Sequence, residues 1–140
     1  MYQQAIGKIL QGRGMRSSFR CVYVVRDKDK NLYVGKTRNS ITTRINQHCA
    51  TYTSPKEASL LGKIINRNIP ESYDWVVDVY TLEECLEAIE EKYPHVEKVD
   101  HDEAELGMIL IIKPTLNIMN NNRRTPLPEK FRSGKQLKLF

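Results

Sequence analysis

The sequence predicts an α+β fold, a small, mostly antiparallel three-stranded sheet flanked by helices. Three observations carry that expectation. Residues 20–26 (Arg-Cys-Val-Tyr-Val-Val-Arg) and 32–35 (Leu-Tyr-Val-Gly) are rich in β-branched and aromatic side chains, and a polar turn, Asp27-Lys28-Asp29-Lys30-Asn31, joins them as in an antiparallel hairpin. A third run of this kind spans residues 74–80. The segments between and after these strands place apolar residues at helical spacing behind good capping residues.

Taken in order, residues 2–11 set Ile6, Ile9 and Leu10 at helical spacing, and Gly12 and Gly14 end that piece. Arg13, Arg16 and Arg20 lie around the break. After the hairpin, Asn39 or Ser40 can cap a helix over about residues 40–51, with Ile41 and Ile45 inward. Ser54-Pro55 is a cap followed by proline at the first helical position, which predicts a helix over about 55–67 carrying Leu60, Leu61, Ile64 and Ile65. Beyond the third strand, Thr81 with Glu84 makes a capping box for a helix that ends by Pro94. Asp100 can cap a last helix over about 101–113, stopped by Pro114. From Asn120 the periodicity is lost, and the remainder reads as a mobile tail.

The chain has 140 residues, of which 40% are hydrophobic and 28% charged, enough for one modest core and too apolar for wholesale disorder. No apolar run is long enough for a membrane helix, and the first residues lack the features of a secretory signal. Three scattered cysteines argue against a disulfide scaffold or zinc ribbon and for a reducing cytoplasm. The net charge of +5 hides a sharp segregation. Residues 1–67 carry 13 Lys+Arg against 3 Asp+Glu, residues 68–117 carry 3 against 13, and residues 118–140 carry 6 against 1. A basic front and a basic tail read as phosphate-binding surfaces. The alternative is mutual neutralisation across the fold.

Chemistry gathers in Tyr23, Tyr33, Lys36, Arg44, His48, Glu105 and Asn117. If the hairpin pairs in register, the two tyrosine rings share one side of the sheet. Lys36 follows the Gly35 bend. Arg44 and His48 are i and i+4 on one helix face. Phosphodiester hydrolysis needs an activated water, a cation at the developing phosphorane charge and help for the leaving oxygen. Arg44 offers a planar fork to a phosphate. A lone carboxylate such as Glu105 can hold Mg²⁺, which keeps several waters and takes phosphate oxygens as further ligands. Each residue also has a plainer reading: strand aromatics, a solvated helix face, or helix-start acids such as Asp102 and Glu103. His95 and His101 with Asp100 and Asp102 lack metal-ligand spacing, and Cys49 beside His48 lacks an acid to orient it.

The ordered set resembles the GIY-YIG nuclease family. Cys21-Val22-Tyr23, Tyr33-Val34-Gly35-Lys36, Arg44, His48, and the stretch from Glu105 to Asn117 through Lys113-Pro114-Thr115-Leu116 carry the resemblance, over roughly residues 20–118. It implies that Tyr23 and Tyr33 are the signature tyrosines, one of them, or a water it orients, being the general base. It implies Arg44 on the scissile phosphate, His48 as a proton carrier, Glu105 as the metal ligand for Mg²⁺ or Mn²⁺, Asn117 as a structural asparagine, and Lys36 as the lysine found after the second signature glycine in several branches. It further implies a single divalent ion and products with 5′-phosphate and 3′-hydroxyl ends. Cys21 stands where the first signature glycine would be, and residues 82–99 look like an added acidic helix.

These readings divide the chain into an N-terminal basic helix or arm (1–19), a nuclease-like domain (20–118) and a mobile basic tail (119–140). The expected function is metal-dependent DNA endonuclease. The alternatives are a non-catalytic DNA-binding or adaptor module on the same scaffold, or a stand-alone restriction-type endonuclease. Arg13, Arg16, Arg20, Arg38, Lys63 and Arg67, with Arg123 and Arg124 in the tail, are the expected DNA contacts. The last five residues, Gln136-Leu137-Lys138-Leu139-Phe140, resemble the bacterial sliding-clamp-binding pentapeptide. Gln136, Leu137, Leu139 and Phe140 are its expected contacts, and recruitment to replicating DNA of bacterial or phage type follows from it.

Overall fold

The computed structural model describes residues 1–117 and 127–132. An antiparallel sheet lies between two helical layers. Its strands are β1 (Tyr2–Ala5), β2 (Cys21–Arg26), β3 (Asn31–Thr37) and β4 (Val76–Thr81), in the order β1-β4-β2-β3. One face carries α1 (Ile6–Leu10), α2 (Ile41–Cys49) and α3 (Leu60–Arg67). The other carries α4 (Leu82–Lys92) and α5 (His101–Ile112).

The central strand β2 explains this layering. Alternate residues of a strand point to opposite faces. Tyr23 and Val25 enter one core with Ile9, Ile41, Ile45, Leu61 and Ile65, while Val22 and Val24 enter the other with Ile89, Met108 and Ile109. A strand covered on both sides therefore reads as one continuous apolar run. The helices start where their side chains satisfy free N–H groups. Ser40 accepts from Thr43 N–H at 3.1 Å. Capping boxes close Thr81 with Glu84 and Asp100 with Glu103. The charge segregation follows the layers: the basic half builds the α1–α3 side and the acidic helix α4 lies on the opposite one.

Several expectations are corrected. The sheet has four strands, because Tyr2–Ala5, read as part of a helix over residues 2–11, pairs with β4 at its outer edge. Residues 1–10 of the expected basic helix or arm thus pair with β4 and pack into the α1–α3 core, where Ile6 and Ile9 are fully buried. The helix expected over 55–67 is broken. Ser54 caps only a 3₁₀ turn at Pro55–Glu57, Ala58 is extended, and Ser59 caps α3 afresh. The break lets α3 approach α2 so closely that a Cβ on Gly62 would run into the His48 carbonyl. The third strand begins at Val76, after a 3₁₀ turn at Glu71–Asp74. Within the expected mobile tail, residues 127–132 are packed on the domain. Phe131 is fully buried in the α4–α5 core, its ring 5.4 Å from that of Tyr93, and Lys130 pairs with Glu103 at 2.7 Å. Arg123, Arg124 and the pentapeptide from Gln136 to Phe140 lie outside the described residues.

Candidate active site

Hairpin register assembles the first half of the site. Tyr23 lies opposite Gly35, and Tyr33 opposite Val25. Both rings therefore rise on the α2 side, with centroids 6.1 Å apart. Gly35 is needed for this packing, since a Cβ there would meet the Tyr23 hydroxyl at 2.5 Å and a Tyr33 ring carbon at 2.7 Å. Helix α2 supplies the second half. Arg44 Nε–H donates to the Tyr23 hydroxyl at 3.3 Å, and His48 Nε2 lies 2.8 Å from the same hydroxyl. The His48 ring stands edge-on to Tyr33 at 5.3 Å.

Glu105 completes the group from the other layer. It sits on α5, which packs along β3. Its carboxylate accepts the Lys36 backbone N–H and lies in the field of Lys36 and Arg44. Its neighbours are occupied elsewhere: Asp102 pairs with the Lys36 ammonium, and Glu103 closes the capping box. Asn117 is a strut, its Oδ1 accepting from Val34 N–H and its Nδ2 donating to the Val34 carbonyl, both at 2.9 Å. Thr115 and Leu116 N–H groups donate to Asn31 and Leu32 carbonyls, so the chain after α5 is laced to the outer edge of β3. Asn117 and Glu105 thus grip β3 at residues two apart.

The electrostatics follow from burial. Tyr23 is fully buried, and desolvation raises its phenol well above the ordinary tyrosine value, with neighbouring Tyr33 adding and Arg44 opposing. Tyr33, less buried, is also raised by desolvation and by Glu105, against which Arg44 and a side-chain hydrogen bond with Tyr23 pull down. Burial, then Arg44, pushes His48 down to about 4, so its imidazole is neutral at pH 7. Burial raises Glu105, and Lys36 and Arg44 offset it in part. The low value of His48 has a thermodynamic consequence. Its ordinary value is 6.5, so between pH 6.5 and 4 the unfolded chain binds a proton that the folded chain refuses. Stability is therefore expected to fall as pH drops through that window, by about 3 kcal/mol if the whole shift is expressed. Thermal melts of the wild type and His48→Gln across pH 7 to 4 check this; the variant should lose much of the acid sensitivity, and identical slopes would contradict it.

The structure brings together Tyr23, Tyr33, Arg44, His48 and Glu105, with the Lys36 backbone in direct contact. Lys36 directs its ammonium to Asp102, at an open cleft of about 360 Å³ lined by Arg20, Lys36, Thr37, Arg38, Asp100, His101 and Asp102. His101 is buried, with Nε2 2.9 Å from the Cys21 carbonyl oxygen, and belongs to the fold. Cys49 is a buried core thiol, raised by burial to about 11. Among the described residues no cluster of three or more His, Cys, Asp or Glu could hold a metal ion. Glu105 alone still suits Mg²⁺ or Mn²⁺, because these ions bind through one carboxylate completed by water and phosphate oxygens. Among the described residues no ion pair engages Arg13, Arg16, Arg20, Arg38, Lys63 or Arg67. One residue of the cluster was missed by sequence reasoning. Ser59 lies 2.6 Å from His48 Nδ1. A serine directly before Leu60-Leu61 is a capping signal, but it sat inside a helix already assigned.

A guanidinium, two phenols, an imidazole and a lone carboxylate converging at one sheet edge define a site suited to cutting phosphodiesters. The chain belongs to the GIY-YIG nuclease family: the family model for the GIY-YIG catalytic domain matches residues 19–95, more than half of it. A nuclease acting on DNA is what that membership implies. Glu105 and Asn117 lie beyond the matched segment. No curated protein and no solved structure matches the chain. No helix among the described residues is long and apolar enough to cross a membrane.

Proposed function

We propose that this nuclease is a metal-dependent DNA endonuclease. The observation that carries the reading is the convergence of Arg44 and Glu105 from opposite layers onto the Tyr23–Tyr33 pair. The scissile phosphate lies against Arg44, whose fixed charge favours the phosphorane over the ground state. Tyr33, the less buried phenol, orients the attacking water, while Tyr23 is held by Arg44 and His48 and supports Tyr33 from behind. Neutral His48 hydrogen-bonds the Tyr23 hydroxyl at 2.8 Å and so sets where that phenol's hydrogen points. Glu105 would hold the divalent ion, Mg²⁺ or Mn²⁺, which supplies Lewis-acid stabilisation of phosphate and leaving oxygen when bound. Lys36 neutralises acid on α5 and, with Arg20 and Arg38, favours phosphate in the adjoining cleft. Asn117 acts by holding β3 in register.

The test is cleavage of plasmid DNA with Mg²⁺ or Mn²⁺ and chemical mapping of the ends. Metal-stimulated cuts with 5′-phosphate and 3′-hydroxyl ends support the reading. Tight binding without cutting, over a wide metal range, would favour the adaptor alternative.

The exposed basic residues of the α1–α3 side, with Arg38 in the adjoining cleft, form the proposed DNA face. Each neutralised phosphate contributes roughly 0.9 to the slope of log affinity against log salt. The double reversal Arg38→Glu, Lys63→Glu is expected to lower that slope by about two, measured by fluorescence anisotropy from 50 to 200 mM salt. An unchanged slope would place the DNA elsewhere.

Recruitment by a sliding clamp is also proposed, on the Gln-Leu-x-Leu-Phe pattern of residues 136–140. Leu137, Leu139 and Phe140 would fill an apolar groove, Gln136 would orient them, and Arg123 and Arg124 would add DNA contacts. Docking of so short a segment gives micromolar affinity, but tethering raises the local DNA concentration. A pull-down with bacterial clamp, with and without residues 136–140, decides it. Loss of binding on truncation with plasmid cleavage retained supports recruitment, and no binding by the intact chain removes it.

A further inference from the structure

Ser59 grips His48 at two points. Its N–H donates to the His48 carbonyl at 3.0 Å, and its Oγ lies 2.6 Å from His48 Nδ1. The same Oγ accepts from Gly62 N–H at 3.1 Å as the cap of α3. The other ring nitrogen, Nε2, faces the Tyr23 hydroxyl, which already receives Arg44 Nε–H. A neutral imidazole has one donor and one acceptor nitrogen, so the position of its single proton sets the direction of every hydrogen bond in this row.

The two arrangements are not equivalent. With the proton on Nδ1, Ser59 accepts twice and its own hydrogen has no partner within the row. Tyr23 then spends its hydrogen on Nε2 and none is left for Tyr33. With the proton on Nε2, Ser59 donates to Nδ1 while accepting from Gly62. The Tyr23 oxygen receives two donors, and its hydrogen is free to serve Tyr33. The Tyr23 and Tyr33 rings lie side by side with centroids 6.1 Å apart, so a Tyr23 hydrogen directed toward Tyr33 is placed to ease its ionisation. Bonds aligned head to tail in a poorly solvated site also polarise and strengthen one another.

We propose that Ser59 is a positioning residue that holds His48 in the Nε2–H form, so that the hydrogen bonds run from Ser59 through His48 to Tyr23 and leave the Tyr23 hydrogen free to turn toward Tyr33. Its consequence for cleavage rests on the nuclease reading above, whereas the ring's proton position does not. Burial of His48 keeps the ring neutral across the working pH range and so keeps the choice of nitrogen meaningful.

Two-bond ¹H–¹⁵N spectra of the full chain at pH 7.5 report which ring nitrogen carries the proton. The wild type is expected to show His48 protonated at Nε2 alone. Ser59→Thr keeps a hydroxyl and is expected to retain that pattern. Ser59→Asp caps a helix as well as serine does but at this pH only accepts, so it is expected to move the proton to Nδ1 and slow cleavage at least ~10-fold with DNA affinity and Tm little changed. A wild-type ring protonated at Nδ1 overturns the proposal without recourse to any variant. So does a Ser59→Asp variant whose tautomer reverses while its cleavage stays at the wild-type rate. A wild type with the expected tautomer that cuts no DNA would instead overturn the nuclease reading, and the spectra, which need no substrate, tell the two failures apart.

Discussion

Glu105→Gln is expected to lower cleavage at least ~10²-fold and to abolish its response to added Mg²⁺ or Mn²⁺, with DNA binding and fold retained. Glutamine fills the same space and can still accept the Lys36 N–H, but it cannot hold a divalent cation in place with its neutral oxygen. Losing one preorganised charge-stabilising group in a catalytic site has effects of this size. The substitution also removes a half-buried carboxylate whose charged form burial disfavours, so the variant should melt no lower than the wild type at pH 7. Metal titrations of plasmid nicking beside thermal melts check both halves. A variant that keeps its metal response would remove Glu105 from the site. A variant that loses activity only because it unfolds would reduce Glu105 to a structural role.

Gly35→Ala is expected to be nearly as damaging for a steric reason. The new methyl would lie 2.5 Å from the Tyr23 hydroxyl, 2.6 Å from Tyr23 Cζ and 2.7 Å from Tyr33 Cε2. These are atoms of rigid rings, and Tyr23 is fully buried, so its ring cannot swing aside. The Tyr23 hydroxyl must then leave Arg44 and His48, or β3 must shift away from β2. Overpacking of this kind costs about 1–3 kcal/mol, and displacement of the phenols should slow cleavage roughly 10²-fold. Melts and single-turnover cleavage test it. Wild-type activity in Gly35→Ala would mean that the Tyr23 contacts are irrelevant to the chemistry.

Local signals carried most of the fold. The hairpin was legible because its turn and both strands lie within about twenty consecutive residues, and the starts of α2, α4 and α5 because their caps are adjacent in sequence. Strand β1 was not legible. Tyr-Gln-Gln-Ala has no alternating pattern, and it becomes a strand only because β4, more than seventy residues on, offers it an edge. The break before α3 was hidden for a similar reason. Ser54-Pro55 is a strong local start, whereas the second start at Ser59 matters because Gly62 must pass close to the His48 carbonyl.

Strand register and the i, i+4 spacing on α2 are what bring Tyr23, Tyr33, Arg44 and His48 close to one another. Of the three acids at the start of α5, Asp102 and Glu103 are engaged by Lys36 and the capping box, while Glu105 faces β3 at Lys36, two residues from the Val34 that Asn117 holds. Lys36 was placed beside the site from sequence, but its side chain lies on the opposite face of β3 from the tyrosines and meets Asp102. Phe131 was read as part of a polar tail because nothing nearby in sequence predicts the pocket it fills between α4 and α5.

Arg44, in concert with Glu105 and the two tyrosines, is proposed to cut DNA. Nicking of supercoiled plasmid by the wild type and Arg44→Ala, at protein concentrations where anisotropy shows both fully bound to DNA and with Mg²⁺ present, tests it most directly. Metal-dependent nicking by the wild type and a loss of at least ~10²-fold in Arg44→Ala are expected; near-normal nicking by the fully bound variant would remove Arg44 from the chemistry.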